Sequence, residues 1–243
     1  MVLAAARVGL RRNAPAVAPA FVPTQLAGCA AWLDAAQITG ATDGANVATW
    51  QDLSGGARHV AQATAAKQPI YRSTGALITP TGRPVVQFDG VDDFLTYAGA
   101  VTAQPYTAAL VVSTSKASGQ QVFLDKGISS NNSATYIDGT SQMWALYDGG
   151  AYSSGIAKTA ALVQITAFHK DVSSQMYVNG VAGGVGNAGT NGLTDGYSLS
   201  VNAASSGDYV QGAFAEVIVY NRILTNAERL QVEAYLKTKH GTP

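Results

Sequence analysis

A chain of 243 residues, 47% hydrophobic, has ample material for one large core, and no break in composition forces a second domain. Its 15 basic and 15 acidic residues cancel, so no overall field draws nucleic acid or an anionic membrane to it. The lone Cys29 excludes an internal disulfide, no apolar run approaches the roughly 18 residues of a spanning helix, and 12% charged residues with 26 glycines point to an all-β protein of many turns.

Met1 to Pro23 stands apart. It carries Arg7, Arg11 and Arg12, no acid, and then Pro15, Pro19 and Pro23 spaced through Ala and Val. A secretion signal places its charges first and then an apolar run of about 7 to 15 residues, an order that Arg11 and Arg12 interrupt. Residues 1–23 therefore read as an extended arm whose arginines make an assembly contact with a neighbouring subunit. A disordered tail is the plainer alternative. Residues 24–243 read as one domain.

Leu26 to Leu33 has the composition of a first core strand, ended by Asp34, and Cys29 reads as a buried thiol. In Trp50-Gln-Asp52-Leu-Ser54-Gly55, Asp52 is placed to accept backbone N–H bonds in a tight turn, with Trp50 packed beneath it. Val85 to Asp89 alternates, Asp89-Gly90 turns the chain, and Phe94-Leu95 begins a return strand. Asp89, Asp92 and Asp93 read as a turn whose carboxylates satisfy backbone donors. Calcium, which takes about six to eight oxygens, is the other reading, though the spacing lacks the closing Glu of an EF-hand loop.

Tyr106 to Thr114 and Val122 to Lys126 read as central strands, and Ala134 to Ile137 and Ser141 to Asp148 follow. In the last of these Trp144, Leu146 and Asp148 share one face, and Met143, Ala145 and Tyr147 the other. Thr159 to Lys170 pairs with Ser174 to Val178, and Asn179-Gly180 supplies a positive-φ turn. Gly183 to Gly192 reads as a loop without the strand-to-helix context of a phosphate cradle. Tyr197 to Val201 leads into the closing strand, Ala213 to Tyr220, whose Phe214, Glu216, Ile218 and Tyr220 alternate against Ala213, Ala215, Val217 and Val219.

A single helix ends the chain. Thr225 and Glu228 form a capping box, Lys237, Lys239 and His240 favour the negative end of the dipole, and Gly241 is available for a left-handed cap. Ala227, Leu230 and Ala234 share one helix face while Val232, Tyr235 and Leu236 lie nearly opposite, a pattern that predicts contacts with two surfaces.

Several of these runs together resemble the laminin-G-like domain of the concanavalin A-like lectin/glucanase superfamily. They are Trp50 to Gly55, Arg83 to Leu95, Asp125-Lys126-Gly127, Tyr177 to Gly180, Glu216 to Arg222, Leu224 to Glu228 and Tyr235-Leu236-Lys237. The resemblance covers about Leu26 to Gly241. It implies a jelly-roll β-sandwich of two antiparallel sheets, with the C-terminal helix against an edge or end.

Glycoside hydrolysis needs two placed carboxyl groups, and glucanases of this superfamily carry them as glutamates on one strand. The chain has three glutamates, Glu216 in the closing strand and Glu228 and Glu233 in the helix, so that pair is missing. No Gly-x-Ser-x-Gly elbow occurs, and His59, His169 and His240 read as structural, so the expectation is a protein that is not an enzyme. For glycan binding, Trp144, Tyr147, Asp148 and Tyr152, with Asp208 and Tyr209 from a nearby loop, are the candidate platform. A core position is the weightier reading for Trp144.

The mixture of a lectin-like sandwich and a basic arm looks like bacteriophage minor tail proteins. It implies a virion structural protein, homo-oligomeric, docked to other virion proteins by its arm and facing host-surface glycans. A capsid decoration protein and a secreted bacterial lectin or carbohydrate-binding module are the alternatives. No cofactor is expected beyond the calcium reading above, nor nucleic-acid binding or membrane insertion.

Overall fold

A computed structural model describes residues 21–126, 132–201 and 207–243. In chain order the strands are β1 (Cys29–Asp34), β2 (Thr49–Trp50), β3 (Val60–Ala61), β4 (Ile70–Arg72), β5 (Val85–Asp89), β6 (Leu95–Ala98), β7 (Tyr106–Thr114) and β8 (Gln121–Lys126). They continue as β9 (Ala134–Ile137), β10 (Met143–Tyr147), β11 (Ala151–Ala157), β12 (Val163–His169), β13 (Ser174–Val178), β14 (Val181–Gly186), β15 (Gly196–Leu199) and β16 (Gln211–Tyr220). Helix α1 (Asn226–His240) follows.

These strands form two antiparallel sheets. The first runs β14-β13-β12-β7-β16-β5-β4, with β1 also paired to β16, and the second runs β11-β10-β9-β8-β15-β6-β3-β2. The ten residues of β16 serve two neighbours along one edge: Gln211 to Phe214 pair with β5, and Glu216 to Tyr220 with β1. The two sheets and single C-terminal helix are the expected sandwich. The arginines assigned to the arm lie outside the described residues, but Phe21 already packs edge-on against Tyr235 at 5.5 Å. The packed body thus begins inside the stretch read as the arm.

Alternation along β7 explains why the first sheet is covered on both faces. Tyr106, Ala108, Leu110 and Val112 enter the core between the sheets, whereas Ala109 and Val111 point outward. Together with Ala213, Ala215 and Ile218 of β16 they make a shallow apolar bed, and Val232 and Leu236 of α1 are fully buried on it. Small strand side chains let the helix come close. Each of those two buried aliphatics is worth about 1.5–3 kcal/mol relative to exposure. The helix therefore lies on a sheet face, not at the edge or end that the resemblance implied.

Three further expectations are corrected. The buried helix face is Arg229, Val232, Glu233, Leu236 and His240, while Leu230 is 50% exposed, so the stripe of Ala227, Leu230 and Ala234 is not a second sheet contact. In β16 the register shifts between Phe214 and Glu216, which sends Phe214 into the core between the sheets while Glu216 faces the helix. A bulge of this kind inserts one residue and breaks the period of two, which no alternation count anticipates. Finally, Val181–Gly186 is a strand, β14, although its glycines suggested loop. Asn179 and Gly180 adopt φ of 51° and 77°, and that turn drives Val181 back against Val178. Strand β11 had no anticipated counterpart.

The motif residues hold the chain together. Asp52 accepts from the N–H groups of Trp32, Ser54 and Arg58 at 2.9 Å each, over a Trp50 only 1% exposed. Arg222 bonds both oxygens of Glu228, at 2.7 and 2.8 Å, and donates to the Ala27 carbonyl. Thr225 and Glu228 form the capping box, and Gly241 at φ 71° closes the helix in the left-handed conformation. Burial, then Asp52, pushes the Cys29 thiol up to about 12, so it is no nucleophile at neutral pH.

Candidate functional site

The residues singled out for a sugar platform do not meet on one surface. Trp144 is 1% exposed and packs on Phe123 with ring centroids 5.0 Å apart, so its face is covered. Tyr152 is buried, with its hydroxyl donating to the Gly184 carbonyl at 2.5 Å. Asp148 is wholly buried and hydrogen-bonded to His169 Nδ1 at 2.9 Å, and the Ser133 hydroxyl donates to it at 2.5 Å. Only Tyr147 of that strand group is open to solvent. Asp208 and Tyr209 are held at the entrance to β8, where Gln120 Nε2 donates to Asp208 at 3.0 Å and Lys116 to the Tyr209 carbonyl at 3.4 Å. The cause is strand alternation: positions facing inward with Leu146 cannot also offer a wet surface.

Beneath that surface lies an arrangement of catalytic outline. Asp148 faces His169 Nδ1, and His169 Nε2 lies 3.2 Å from the Thr135 hydroxyl, while the imidazole stacks on Tyr106 at 4.1 Å. Every member is 0% exposed, so no substrate reaches it. It is a satisfied polar network inside the core.

The acidic turn behaves as its hairpin demands. Asp89 Oδ1 accepts from the N–H groups of Val91, Asp92 and Asp93, and Asp93 Oδ2 accepts from the Asp89 N–H at 3.1 Å. The carboxylate oxygens of Asp89, Asp92 and Asp93 lie within 4.8 Å of one another. Taken at one oxygen each, the three carboxylates supply three of the six to eight oxygens that calcium takes. Burial first, and then the charge of Asp89, raises the Asp93 carboxyl to about 6. Because this pKa is higher in the fold than in the unfolded chain, its contribution to stability is full below about pH 4 and is lost as pH climbs through about 6. Asp93→Asn is expected to abolish that fall and raise the melting temperature at pH 7. Melting curves that stay parallel to the unmodified protein from pH 4 to 7 would contradict it, and a rise of melting temperature with Ca²⁺ would make the turn a cation site.

The site that sequence reasoning missed lies on the helix side of the first sheet. Asp34 of β1 and Glu216 of β16 are directly opposed in the antiparallel register. Like charges there repel. Lys239, from the last turn of α1, resolves this by donating to Asp34 Oδ2 and Glu216 Oε2 at 2.7 Å each, and its third partner is the Tyr235 hydroxyl at 2.8 Å. Glu216 is 0% exposed, and Trp32 Nε1, the Tyr235 hydroxyl and His240 Nε2 also donate to it, at 2.7, 2.8 and 2.6 Å. An ionised carboxylate only accepts, so His240 carries its proton on Nε2. Burial pushes the Glu216 carboxyl upward, but His240 and Lys239 outweigh it and hold the group below the ordinary range. Burial and the Glu216 charge raise the Tyr235 phenol.

Over this network opens a groove of about 750 Å³. Phe21, Trp32 and Tyr235 supply its aromatic surfaces, Asp34 and Lys239 its charged floor, and Gln37, Gln231, Thr238 and Arg83 its polar margin. The volume and the mixture of apolar walls with a few convergent polar groups are those of small-ligand sites. One signal for it was legible: a carboxylate in the otherwise apolar run Ala213 to Tyr220 needs a partner when buried. Its partners are 184 residues away at Trp32 and 23 away at Lys239, a separation no local pattern spans.

Comparison with known proteins agrees with this architecture. No curated protein matches the sequence. Among solved structures, Trypanosoma rangeli sialidase bound to the inhibitor DANA superposes with a TM-score of 0.55 at 15% identity, over 88% of this chain and 33% of that one. This chain thus spans about one third of the sialidase. Domain 4 of AbnA, an extracellular arabinanase of family GH43 from Geobacillus stearothermophilus solved with arabinotriose, superposes with a TM-score of 0.55 at 15% identity, over 80% of this chain and 99% of that one. At such identities the likeness is one of fold. The laminin-G-type family profile matches residues 88–228, from Phe88 of β5 to the capping glutamate of the helix, and so covers more than half of the sequence. The chain belongs to the concanavalin A-like lectin/glucanases superfamily.

Proposed function

We propose that this protein is a non-enzymatic glycan-binding domain that acts in attachment, with the groove beside α1 as its binding site. The observation that carries the reading is that groove's aromatic and polar wall over a floor without a free acid or base. Sugar recognition uses ring faces against C–H groups and polar neighbours for hydroxyls, and Trp32, Tyr235, Gln37 and Gln231 offer both. Hydrolysis needs a carboxyl group free to donate or accept a proton. Lys239 lies between Asp34 and Glu216, Arg222 holds Glu228 and Arg229 holds Glu233. The sugar-bound arabinanase domain of similar extent lends the reading support as an analogy of fold alone.

The finer reading is a virion surface protein, foremost a bacteriophage minor tail protein with a capsid decoration protein as the near alternative. Its residues 1–23 dock the domain to the particle and its copies to one another. The support is the basic, acid-free and proline-spaced composition of that stretch. A secreted lectin is the rival of a different class.

The test is retention of the full chain on a panel of immobilised glycans together with an assay for released reducing ends. Retention without release is the expected result, while no retention, or hydrolysis, would refute the reading. For the finer part, the protein is expected in a mass-spectrometric inventory of purified particles and is lost from them when residues 1–23 are deleted.

A further inference from the structure

The groove wall is unevenly satisfied, and the imbalance names a ligand chemistry. Lys239 has three donors and uses all of them, on Asp34, Glu216 and Tyr235. Trp32 Nε1 is likewise committed to Glu216. The floor therefore offers a bound molecule ring surface and little free charge. Arg83 differs: its backbone N–H and carbonyl bond Thr79, which fixes the turn ahead of β5, while the residue is exposed and its guanidinium has no protein partner among the described residues. One uncommitted, always-charged planar fork thus stands at the margin of an aromatic groove.

We infer that the groove selects a sugar acid, a hexuronate-type unit whose C–H face lies on the Trp32 and Tyr235 rings and whose carboxylate is held by the Arg83 guanidinium. This rests on the glycan-binding reading above and specifies its ligand class. The planar carboxylate matches the fork with two parallel N–H···O bonds. A single unit of free positive charge balances one carboxylate, and the Asp34 carboxylate on the floor opposes any more highly charged anion. Neutral hydrogen-bonding groups at Gln37, Gln231 and Thr238 remain for the hydroxyls.

The experiment titrates the full chain with disaccharides of galacturonate, glucuronate and mannuronate, each against its methyl ester, which keeps the shape and removes the charge. A charge-assisted hydrogen bond is worth about 1.5–3 kcal/mol, so at least one acid is expected to bind about tenfold or more tightly than its ester. Arg83→Gln is expected to erase that difference with an unchanged melting temperature, since the side chain holds nothing else. Ala234→Trp, on the exposed groove wall and outside the ion network, is expected to abolish binding of acid and ester alike. Equal affinity for acid and ester, or undiminished acid binding by Arg83→Gln, overturns the inference. If neutral glycans are retained, and lost in Ala234→Trp, attachment through the groove stands while the acid selectivity falls. If no glycan of either kind is retained, both fall.

Discussion

Glu216→Ala is expected to destabilise the protein by about 3–5 kcal/mol, because it breaks a buried ion pair and leaves the other charge without compensation. Four donors converge on that carboxylate, from Trp32, Tyr235, Lys239 and His240. Three of the four belong to the C-terminal helix, so the loss falls on the contact between α1 and the first sheet. In a chain of this length it corresponds to a drop in melting temperature on the order of 10 °C. Amide exchange should show Asn226–His240 opening ahead of the strands. A loss below about 1 kcal/mol, or one spread evenly over both sheets, would show that the network does not anchor the helix. The pH dependence carries the same signature. A carboxyl group held below its ordinary value of 4.5 in the fold contributes stability above that value, and loses it as pH falls. Glu228, brought to about 2 by Arg222 and then Thr225, acts in the same direction, so acid should release the helix at both ends. In the Glu216 variant the acid-side decline is expected to become shallower.

The second large effect belongs to Trp144. Its ring contacts Phe123, which in turn lies 5.6 Å from Phe214, itself 4.9 Å from Phe88. This aromatic row bridges the two sheets. Replacing a buried Trp with Ala in such a core costs about 3–5 kcal/mol through lost burial and the cavity left behind. Trp144→Ala is therefore expected to lower the urea midpoint strongly. Glycan retention per folded molecule should stay unchanged, since the groove lies on the far side of the first sheet. Selective loss of retention with an unaltered midpoint would restore Trp144 to a binding surface and move the site to the second sheet.

The two predictions mark where residue-level reading succeeded and where it stopped. The capping box at Thr225 and Glu228, the Asn179-Gly180 turn and the Asp52 bonds to Ser54 and Arg58 were legible because each lies within about seven residues, and local backbone chemistry decides it. The alternation that sets Trp144 and Leu146 against Ala145 was legible too. What alternation leaves open is which face meets the other sheet, and that choice put Trp144, where core was already the weightier reading, and Asp148 inside.

By itself, then, the order of residues determined an all-β chain with one capped terminal helix and motifs of a known sandwich superfamily, because propensity, period and turn chemistry act over a few neighbours. Only the tertiary structure decided where that helix lies, how a one-residue bulge turns Glu216 toward it, and that Asp34 and Glu216 share Lys239 beneath a groove. Those outcomes depend on the space left by Ala109, Ala213 and Ala215 and on charges brought together from opposite ends of the chain, and both are set by packing.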